Sequence, residues 1–216
     1  MMIKQTVKNI VRKLDQYSPY PLFYKFVMSK NERVLFDKLI NKSRNYLEFG
    51  LGGSTIRAIQ KSNAKIYTVE SSPEWIGYMR QYTILRFFEN KRLFIFCVDI
   101  GTTREWGYPV TGKVQNTFDC YSSSVFESID AKTLDLVLVD GRFRVACTLK
   151  IILECNKNND LKILIHDFWN RKNYHVLLKY LDELDKADTM GIFSIKKNIN
   201  LKSVKEDLEV YKTNPG

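Results

Sequence analysis

The sequence predicts an α/β fold in which helices cover both faces of a mostly parallel, seven-stranded sheet. Five short apolar runs alternate with helical stretches along the middle of the chain, and each run ends in polar residues. This alternation is the βαβ pattern of a parallel sheet. Two further strand-like runs, around Met190 and Gly191, suit an antiparallel hairpin that completes the sheet. The five predicted parallel strands are residues 46–49, 65–69, 93–98, 134–139 and 161–165.

Helices are predicted before, between and after these strands. Apolar residues recur at roughly helical spacing in front of the first strand, Pro73 suits a first helical turn, and residues 204–212 form a last strand or helix. The N-terminal helices either close over a ligand or serve packing or a dimer surface. The helices expected upstream of residue 181 include 2–17, 21–42, 73–90, 144–156 and 171–180.

The composition predicts a single globular domain without a membrane span. The chain has 216 residues, 44% of them hydrophobic and 27% charged, and its apolar stretches are shorter than the roughly 20 residues that cross a bilayer. Its beginning does not resemble a signal peptide. Four cysteines without C-x-x-C spacing indicate buried free thiols in a reducing compartment, and hence a cytoplasmic location. We expect N-terminal helices over 1–43, a core over 44–200 and a tail over 201–216.

The net charge is +10, from 34 basic and 24 acidic residues. Such an excess serves RNA binding, an anionic substrate or solubility. Because the lysines are scattered and no basic run or RNA-binding motif occurs, the pattern favours a solvated lysine-rich surface. Nucleic acid is therefore not the expected partner.

A glycine-rich turn at residues 50–53 follows the first strand. Glycines let a backbone turn sharply and approach a ligand closely, and Ser54 or Thr55 can cap the next helix, whose free N–H groups favour a polar or anionic ligand. Glu70 ends the second strand, where an acid suits the two hydroxyls of a ribose. The combination indicates a nucleoside-cofactor site, and the alternative is an ordinary turn between strand and helix.

The glycine spacing excludes two common nucleotide motifs. The dinucleotide fingerprint needs a third glycine five positions after Gly50, and Thr55 stands there. No phosphate-binding G-x-x-x-x-G-K-[ST] loop occurs either.

Each of the five predicted parallel strands carries an acidic residue at or near its carboxyl end. Ligands of open α/β sheets bind beyond these strand ends, so we expect the acids to surround the ligand. They are Glu48, Glu70, Asp99, Asp140 and Asp167.

Several separated blocks within about residues 44–180 carry a resemblance to a known family. They are the E-x-G-x-G-G-S run from Glu48, Asp99-Ile100-Gly101 followed by Trp106-Gly107-Tyr108-Pro109, the Val139–Cys147 run VDGRFRVAC, and Ile165-His166-Asp167-Phe168 with Arg171 and Tyr174. Together they resemble class I S-adenosylmethionine (SAM)-dependent methyltransferases of a subgroup that accompanies or is fused to glycosyltransferases in polysaccharide synthesis.

The resemblance implies a Rossmann-like fold with an N-terminal helical extension and an enzyme that uses SAM. It implies O-methylation of a sugar hydroxyl of a glycan, such as rhamnose or another deoxysugar, with a fused or neighbouring glycosyltransferase as partner. Methylation of RNA or of another small molecule, and a non-catalytic SAM-binding module that supports a glycosyltransferase, are the alternatives.

The resemblance also assigns cofactor contacts. Gly50 and Gly52 would pass under the methionine portion of SAM, Glu48 would orient its ammonium, and Glu70 would bind the ribose. The full set of expected cofactor residues is Glu48, Gly50, Gly52, Ser54, Thr55, Glu70, Ser71, Asp99, Ile100 and Asp140.

Sugar hydroxyls are weak nucleophiles, so their methylation needs a base or a metal. Asp140 is the expected base, or else a Mg²⁺ ligand shared with Asp167; alternatively it caps the following helix. His166 is a second candidate base because its ordinary pKa is near neutrality. A metal site would need a third oxygen ligand close to the two acids. The residue after Asp167 is Phe168, which has no such oxygen, and this argues against a metal.

Further residues are expected to bind the acceptor. Trp106 and Tyr108 form either an aromatic wall of the site or a staple that packs their own loop. The arginines near the acids either recognise sugar oxygens or phosphates or balance the charge of the acids. The set of candidate acceptor residues is Trp106, Tyr108, Arg142, Arg144, Arg171 and Tyr174.

Overall fold

A computed structural model describes residues 10–101 and 117–215. Its seven strands form one sheet in the order β3-β2-β1-β4-β5-β7-β6. The first five strands are parallel to one another, and β7 lies antiparallel between β5 and β6. This confirms the predicted sheet and its terminal hairpin. The strands are β1 (Asn45–Phe49), β2 (Lys65–Glu70), β3 (Leu93–Cys97), β4 (Leu136–Val139), β5 (Lys162–Ile165), β6 (Leu181–Ala187) and β7 (Met190–Ile195).

Helices pack on both faces of the sheet. Alternate residues of β4 enter two different apolar cores, Val137 and Val139 on one face and Leu136 and Leu138 on the other. The helices are α1 (Lys30–Ile40), α2 (Gly53–Lys61), α3 (Pro73–Met79), α4 (Thr83–Phe88), α5 (Phe118–Ser123), α6 (Arg144–Cys155) and α7 (Leu201–Tyr211), with residues 10–15 also helical. Within the described residues, 3₁₀ helices span Ser124–Glu127, Ala131–Thr133 and Lys172–Lys179. No helix of the described residues is long and apolar enough to cross a membrane.

The predicted helix over 21–42 is wrong in its first part, because α1 begins only at Lys30. The backbone N–H groups of Leu22 and Phe23 donate to the carboxylate of Asp15, at 2.7 and 2.5 Å. Ser29 and Glu32 then form a capping box that starts α1. Residues 21–29 are therefore non-helical, and they run past the beginning of α2.

Two other helix predictions need correction, and the helical alternative for the last element is confirmed. The single helix over 73–90 is interrupted, since the N–H groups of Gln81 and Tyr82 bond to carbonyls three residues back and the Gln16 carbonyl accepts from Thr83 (2.8 Å). The helix over 171–180 is a 3₁₀ helix. The last element is the helix α7, which packs on α6.

The four cysteines are free, but only Cys147 and Cys155 are buried. Cys97 and Cys120 are exposed, so the expectation of buried thiols is wrong for these two. Cys97 is the last residue of the edge strand β3, where only one neighbouring strand covers the backbone.

The ends of β1 and β4 approach each other more closely than side chains would permit. Gly50 has a positive φ of 108°, and a Cβ there would lie 3.0 Å from both Cα and N of Gly141. A Cβ on Gly141 would overlap the Tyr121 hydroxyl and lie 3.0 Å from the carbonyl oxygen of Phe49. The two glycines thus bring the turn after β1 and the segment after β4 to the same edge of the sheet.

Gly141→Ala should destabilise the fold by about 2 kcal/mol, because the new methyl group overpacks the contact between the two strand ends. Chemical denaturation would measure the change in the free energy of unfolding. Gly77→Ala is the matched control, since a Cβ at Gly77 meets nothing within 4 Å and alanine favours helix α3. Equal stabilities of the two variants would contradict the close-approach explanation.

Candidate active site

A cavity of about 790 Å³ opens at the carboxyl ends of the parallel strands, which is the usual place and size of a small-molecule site in such a sheet. Its walls come from the turn after β1, the end of β2, the segments after β4 and β5, and the chain before α1. The residues that line the cavity include Lys25, Phe26, Val27, Gly50, Gly52, Ser54, Glu70, Ser71, Trp75, Asp140, Arg142, Arg144, His166, Asp167 and Arg171.

The turn after β1 presents backbone to the cavity. A Cβ on Gly52 would meet nothing within 4 Å, whereas one on Gly53 would overlap the carbonyl oxygen of Lys25. Gly53 is therefore needed to seat the chain before α1, which contributes a wall of the cavity. Trp75, which the sequence did not single out, also lines the cavity, and its indole N–H donates to the Leu51 carbonyl (2.7 Å).

Glu70 joins the end of β2 to this turn. One carboxylate oxygen accepts from the N–H of Leu51 (3.2 Å), and the other accepts from the N–H groups of Ser71 (2.7 Å) and Ser72 (3.1 Å). Burial raises the pKa of Glu70 despite these hydrogen bonds. Its carboxylate is held in place at the cavity, where the sequence predicted a ribose-binding acid.

Glu48 does not reach the cavity, so its predicted direct contact with a cofactor ammonium is not what the structure shows. The side chain is fully buried and accepts hydrogen bonds from the hydroxyls of Tyr46 (2.9 Å), Ser54 (2.8 Å) and Thr55. Burial raises the pKa of Glu48 to about 7. Its observed contacts instead anchor the first turn of α2 beneath the glycine turn.

The other predicted cofactor residues divide between the cavity and the interior. Ser54 lines the cavity, whereas Thr55 is buried and its hydroxyl accepts from the Gly52 N–H (3.0 Å). The carboxylate of Asp99 accepts from Gly101 (2.7 Å) and Ile100 is buried; neither lines the cavity formed by the described residues. Two predicted acceptor residues, Trp106 and Tyr108, lie outside the described residues.

Asp140 and His166 form the polar centre of the cavity. Nδ1 of His166 lies 2.9 Å from Oδ1 of Asp140, and the guanidinium of Arg144 is 3.1 Å from the same oxygen. Burial opposes ionisation of Asp140, but the hydrogen bond from His166 and the charges of Arg144 and Arg142 outweigh it, so the pKa of Asp140 is lowered. Asp140 is thus an ionised acceptor at neutral pH.

His166 has a second carboxylate beside its other ring nitrogen. Nε2 lies 3.4 Å from Glu32 of α1, a residue that the sequence did not mark as functional. Burial lowers the pKa of His166, but Asp140 and the neighbouring Asp167 outweigh burial and raise it. The capping-box pattern Ser29-x-x-Glu32 is the one sequence signal that would have drawn attention to Glu32.

The alternative of a Mg²⁺ ion shared by Asp140 and Asp167 does not fit the side chains present. The guanidinium of Arg144 contacts both Asp140 (3.1 Å) and Asp167 (3.2 Å), and so provides the positive charge that the two carboxylates share. No group of three or more metal-binding side chains is arranged for an ion in residues 10–101 and 117–215.

The three predicted arginines are placed differently. Arg144 is buried and bridges the two acids, which is the charge-balancing role left open by the sequence. Arg171 contacts Asp167 (3.3 Å) and the hydroxyl of Tyr174 (3.3 Å), and Tyr174 itself is buried away from the cavity lining. Arg142 lines the cavity.

Phe143, rather than Asp140, occupies the N-cap position of α6. It adopts a left-handed conformation with φ 53°. The helix-cap alternative for Asp140 is therefore wrong, and its carboxylate remains part of the cavity.

Solved structures with a similar fold include methyltransferases and a methyltransferase-like protein. A methyltransferase-like protein from Silicibacter pomeroyi is 25% identical, with a TM-score of 0.78 over 89% of this chain and 98% of that one. The SAH-bound methyltransferase PaMTH1 from Podospora anserina is 16% identical, with a TM-score of 0.51 over 79% and 80% of the two chains. Cofactor-bound Rv0187 from MTB is 14% identical, with a TM-score of 0.54 over 90% of each.

No protein-family model matches the chain, and neither does any curated protein. The structural likeness establishes the class I methyltransferase fold, with the predicted Rossmann-like sheet.

Glu48→Gln should change how stability depends on pH. The pKa of Glu48 in the folded state, about 7, lies above the ordinary glutamate value of 4.5, so its contribution to stability is fully present below pH 4.5 and is lost as the pH rises through 7. Between pH 5 and 8 the wild type should therefore lose up to about 3 kcal/mol relative to the variant. Urea denaturation across this range measures the difference, and a pH-independent difference would contradict the assignment.

Proposed function

We propose that this protein is a SAM-dependent O-methyltransferase that acts on a sugar hydroxyl of a glycan. The observation that carries the proposal is the Asp140 carboxylate, which His166 and Arg144 hold ionised in the same cavity as Glu70. A site for a nucleoside and a base for a neutral hydroxyl thus share one cavity on a methyltransferase fold.

SAM, when bound, supplies an activated methyl group on its sulfonium. Gly50, Gly52 and Ser54 would hold its methionine portion. All three line the cavity, and the space beside Gly52 that a side chain would fill is open. Glu70 and Ser71 would hold its ribose, because the Glu70 carboxylate is already fixed by three backbone N–H groups. Such fixed acceptors are well suited to vicinal hydroxyls.

Asp140 would accept the proton of the acceptor hydroxyl as the acceptor oxygen takes the methyl group. A positioned base removes the cost of forming a free alkoxide. His166 donates to Asp140 and fixes its orientation, and Arg144 holds both Asp140 and Asp167 from the other side. The remaining product is S-adenosylhomocysteine.

The charge arrangement supports a polar, neutral acceptor over RNA. Arg144 and Arg171 contact carboxylates within the cavity, so their charge is largely compensated. An RNA substrate would instead favour a continuous basic track for phosphates. A neighbouring or fused glycosyltransferase, which would supply the glycan, is part of the proposal.

Glu70→Ala should weaken binding of SAM at least about tenfold, since ribose hydroxyls would lose a charged acceptor. Calorimetric titration measures the dissociation constant. Glu74→Ala is the matched control, because Glu74 is a nearby acid that the cavity does not include. Equal affinities of wild type and Glu70→Ala would refute the assigned role.

Asp140→Asn should leave the affinity for SAM within about threefold and lower kcat by at least about a hundredfold, because the variant retains the shape of the side chain and loses the base. Transfer of radiolabelled methyl groups from SAM to rhamnose-containing oligosaccharides, with structured RNA as the competing acceptor, measures turnover. If RNA became labelled and the oligosaccharide did not, the proposal of a glycan acceptor would be wrong. Full turnover by Asp140→Asn would show that Asp140 is not the base.

A further inference from the structure

Glu32 is a buried acid whose contacts reach from the N-terminal part of the chain into the active site. It is 3% exposed. One carboxylate oxygen accepts from the N–H (3.1 Å) and hydroxyl (2.7 Å) of Thr189, in the turn between β6 and β7. The other accepts from Ser29 (2.8 Å) and lies 3.4 Å from Nε2 of His166. These contacts hold the carboxylate in one orientation.

His166 consequently lies between two carboxylates. Glu32 faces Nε2 at 3.4 Å and Asp140 faces Nδ1 at 2.9 Å. A neutral imidazole carries a hydrogen on only one nitrogen, so it could direct an N–H at only one of the two carboxylates. An imidazolium presents an N–H to each of them and places its positive charge between two negative charges. The other charged groups that face the ring are Asp167, 3.8 Å from Nδ1, and Arg144, whose charge opposes protonation.

We propose that Glu32 is a positioning residue that keeps His166 doubly protonated and directs its Nδ1–H at Asp140. His166 then acts as a fixed cationic donor and not as the general base, and Asp140 alone receives the acceptor proton. The kinetic part of this inference rests on the proposed function, whereas the protonation of His166 does not.

Glu32 also belongs to the capping box of α1, so a structural role must be separated from the positioning role. Ser29→Ala is the matched control: it removes the hydroxyl that accepts from the Glu32 N–H (3.1 Å) and leaves the Glu32 carboxylate beside His166. A loss of helix capping affects both variants, whereas a loss of the carboxylate affects only Glu32→Gln.

Histidine NMR tests the inference without substrate. The chain has two histidines, and His175→Gln assigns the remaining signal to His166. In the wild type at pH 7 both ring nitrogens of His166 should be protonated. Glu32→Gln should lower its titration midpoint by about one unit, as expected for loss of an opposite charge at this distance, and Ser29→Ala should leave the midpoint unchanged.

A neutral His166 in the wild type at pH 7 would overturn the inference, whether or not the Glu32 variant folds. An unchanged midpoint in Glu32→Gln would also overturn it. Because no acceptor or SAM is present, these outcomes are independent of whether the protein transfers methyl groups.

Kinetics then test the consequence for catalysis. In the plot of kcat against pH, the alkaline limb of Glu32→Gln should lie about one pH unit lower than that of the wild type. At a given pH on that limb kcat should be about tenfold lower, while the affinity for SAM stays unchanged. Ser29→Ala should keep the wild-type profile. A uniform loss of kcat at all pH values in both variants would show that Glu32 acts only through the fold.

Discussion

The backbone contact between Gly50 and Gly141 sets the geometry on which the site depends. With no Cβ on either residue, the ends of β1 and β4 lie close enough for the Asp140 N–H to bond to the Phe49 carbonyl (3.0 Å). The glycine turn and the segment that carries Asp140 therefore share one edge of the cavity. A side chain at either position would separate the two halves of the site.

A chain of alternating charges extends from this edge across the site. It begins at Glu32 and continues through His166, Asp140 and Arg144 to Asp167. The three inner members each contact an opposite charge on both sides, and the two end members contact one each. Charges that would be costly to bury alone therefore stabilise one another.

The residues that are paired in this way are also those to which we assign chemistry. Arg144 neutralises two acids where a metal ion was one sequence-based alternative, and the two cations beside Asp140 lower its pKa. The Asp140 carboxylate is thus kept ionised by neighbours on α6 and after β5 rather than by exposure to water.

The parallel sheet was predictable because β-strand patterns and strand-end acids are local features of the sequence. The placement of Glu70 beside the glycine turn follows from the same pattern. The burial of Glu48 was not predictable, because a carboxylate one residue before a strand end points to the interior only once the hydroxyls of α2 pack above it.

The role of Glu32 depends on contacts between distant parts of the chain. The apolar periodicity of the sequence predicts that the helix begins at residue 21. In the structure the Asp15 carboxylate accepts from the backbone N–H groups of Leu22 and Phe23, and this segment is not helical. Helix propensity is a weak signal beside such tertiary hydrogen bonds. Only the folded chain shows that the first turn of α1 reaches His166.

Calorimetric titration of the wild-type protein with SAM and with S-adenosylhomocysteine tests the central claim most directly. The cavity, the fixed Glu70 carboxylate and the glycine turn together predict micromolar binding of both ligands, unaffected by a chelator. Absence of binding by either ligand would contradict the account, since a methyltransferase fold that does not bind its cofactor would leave the cavity without the proposed function.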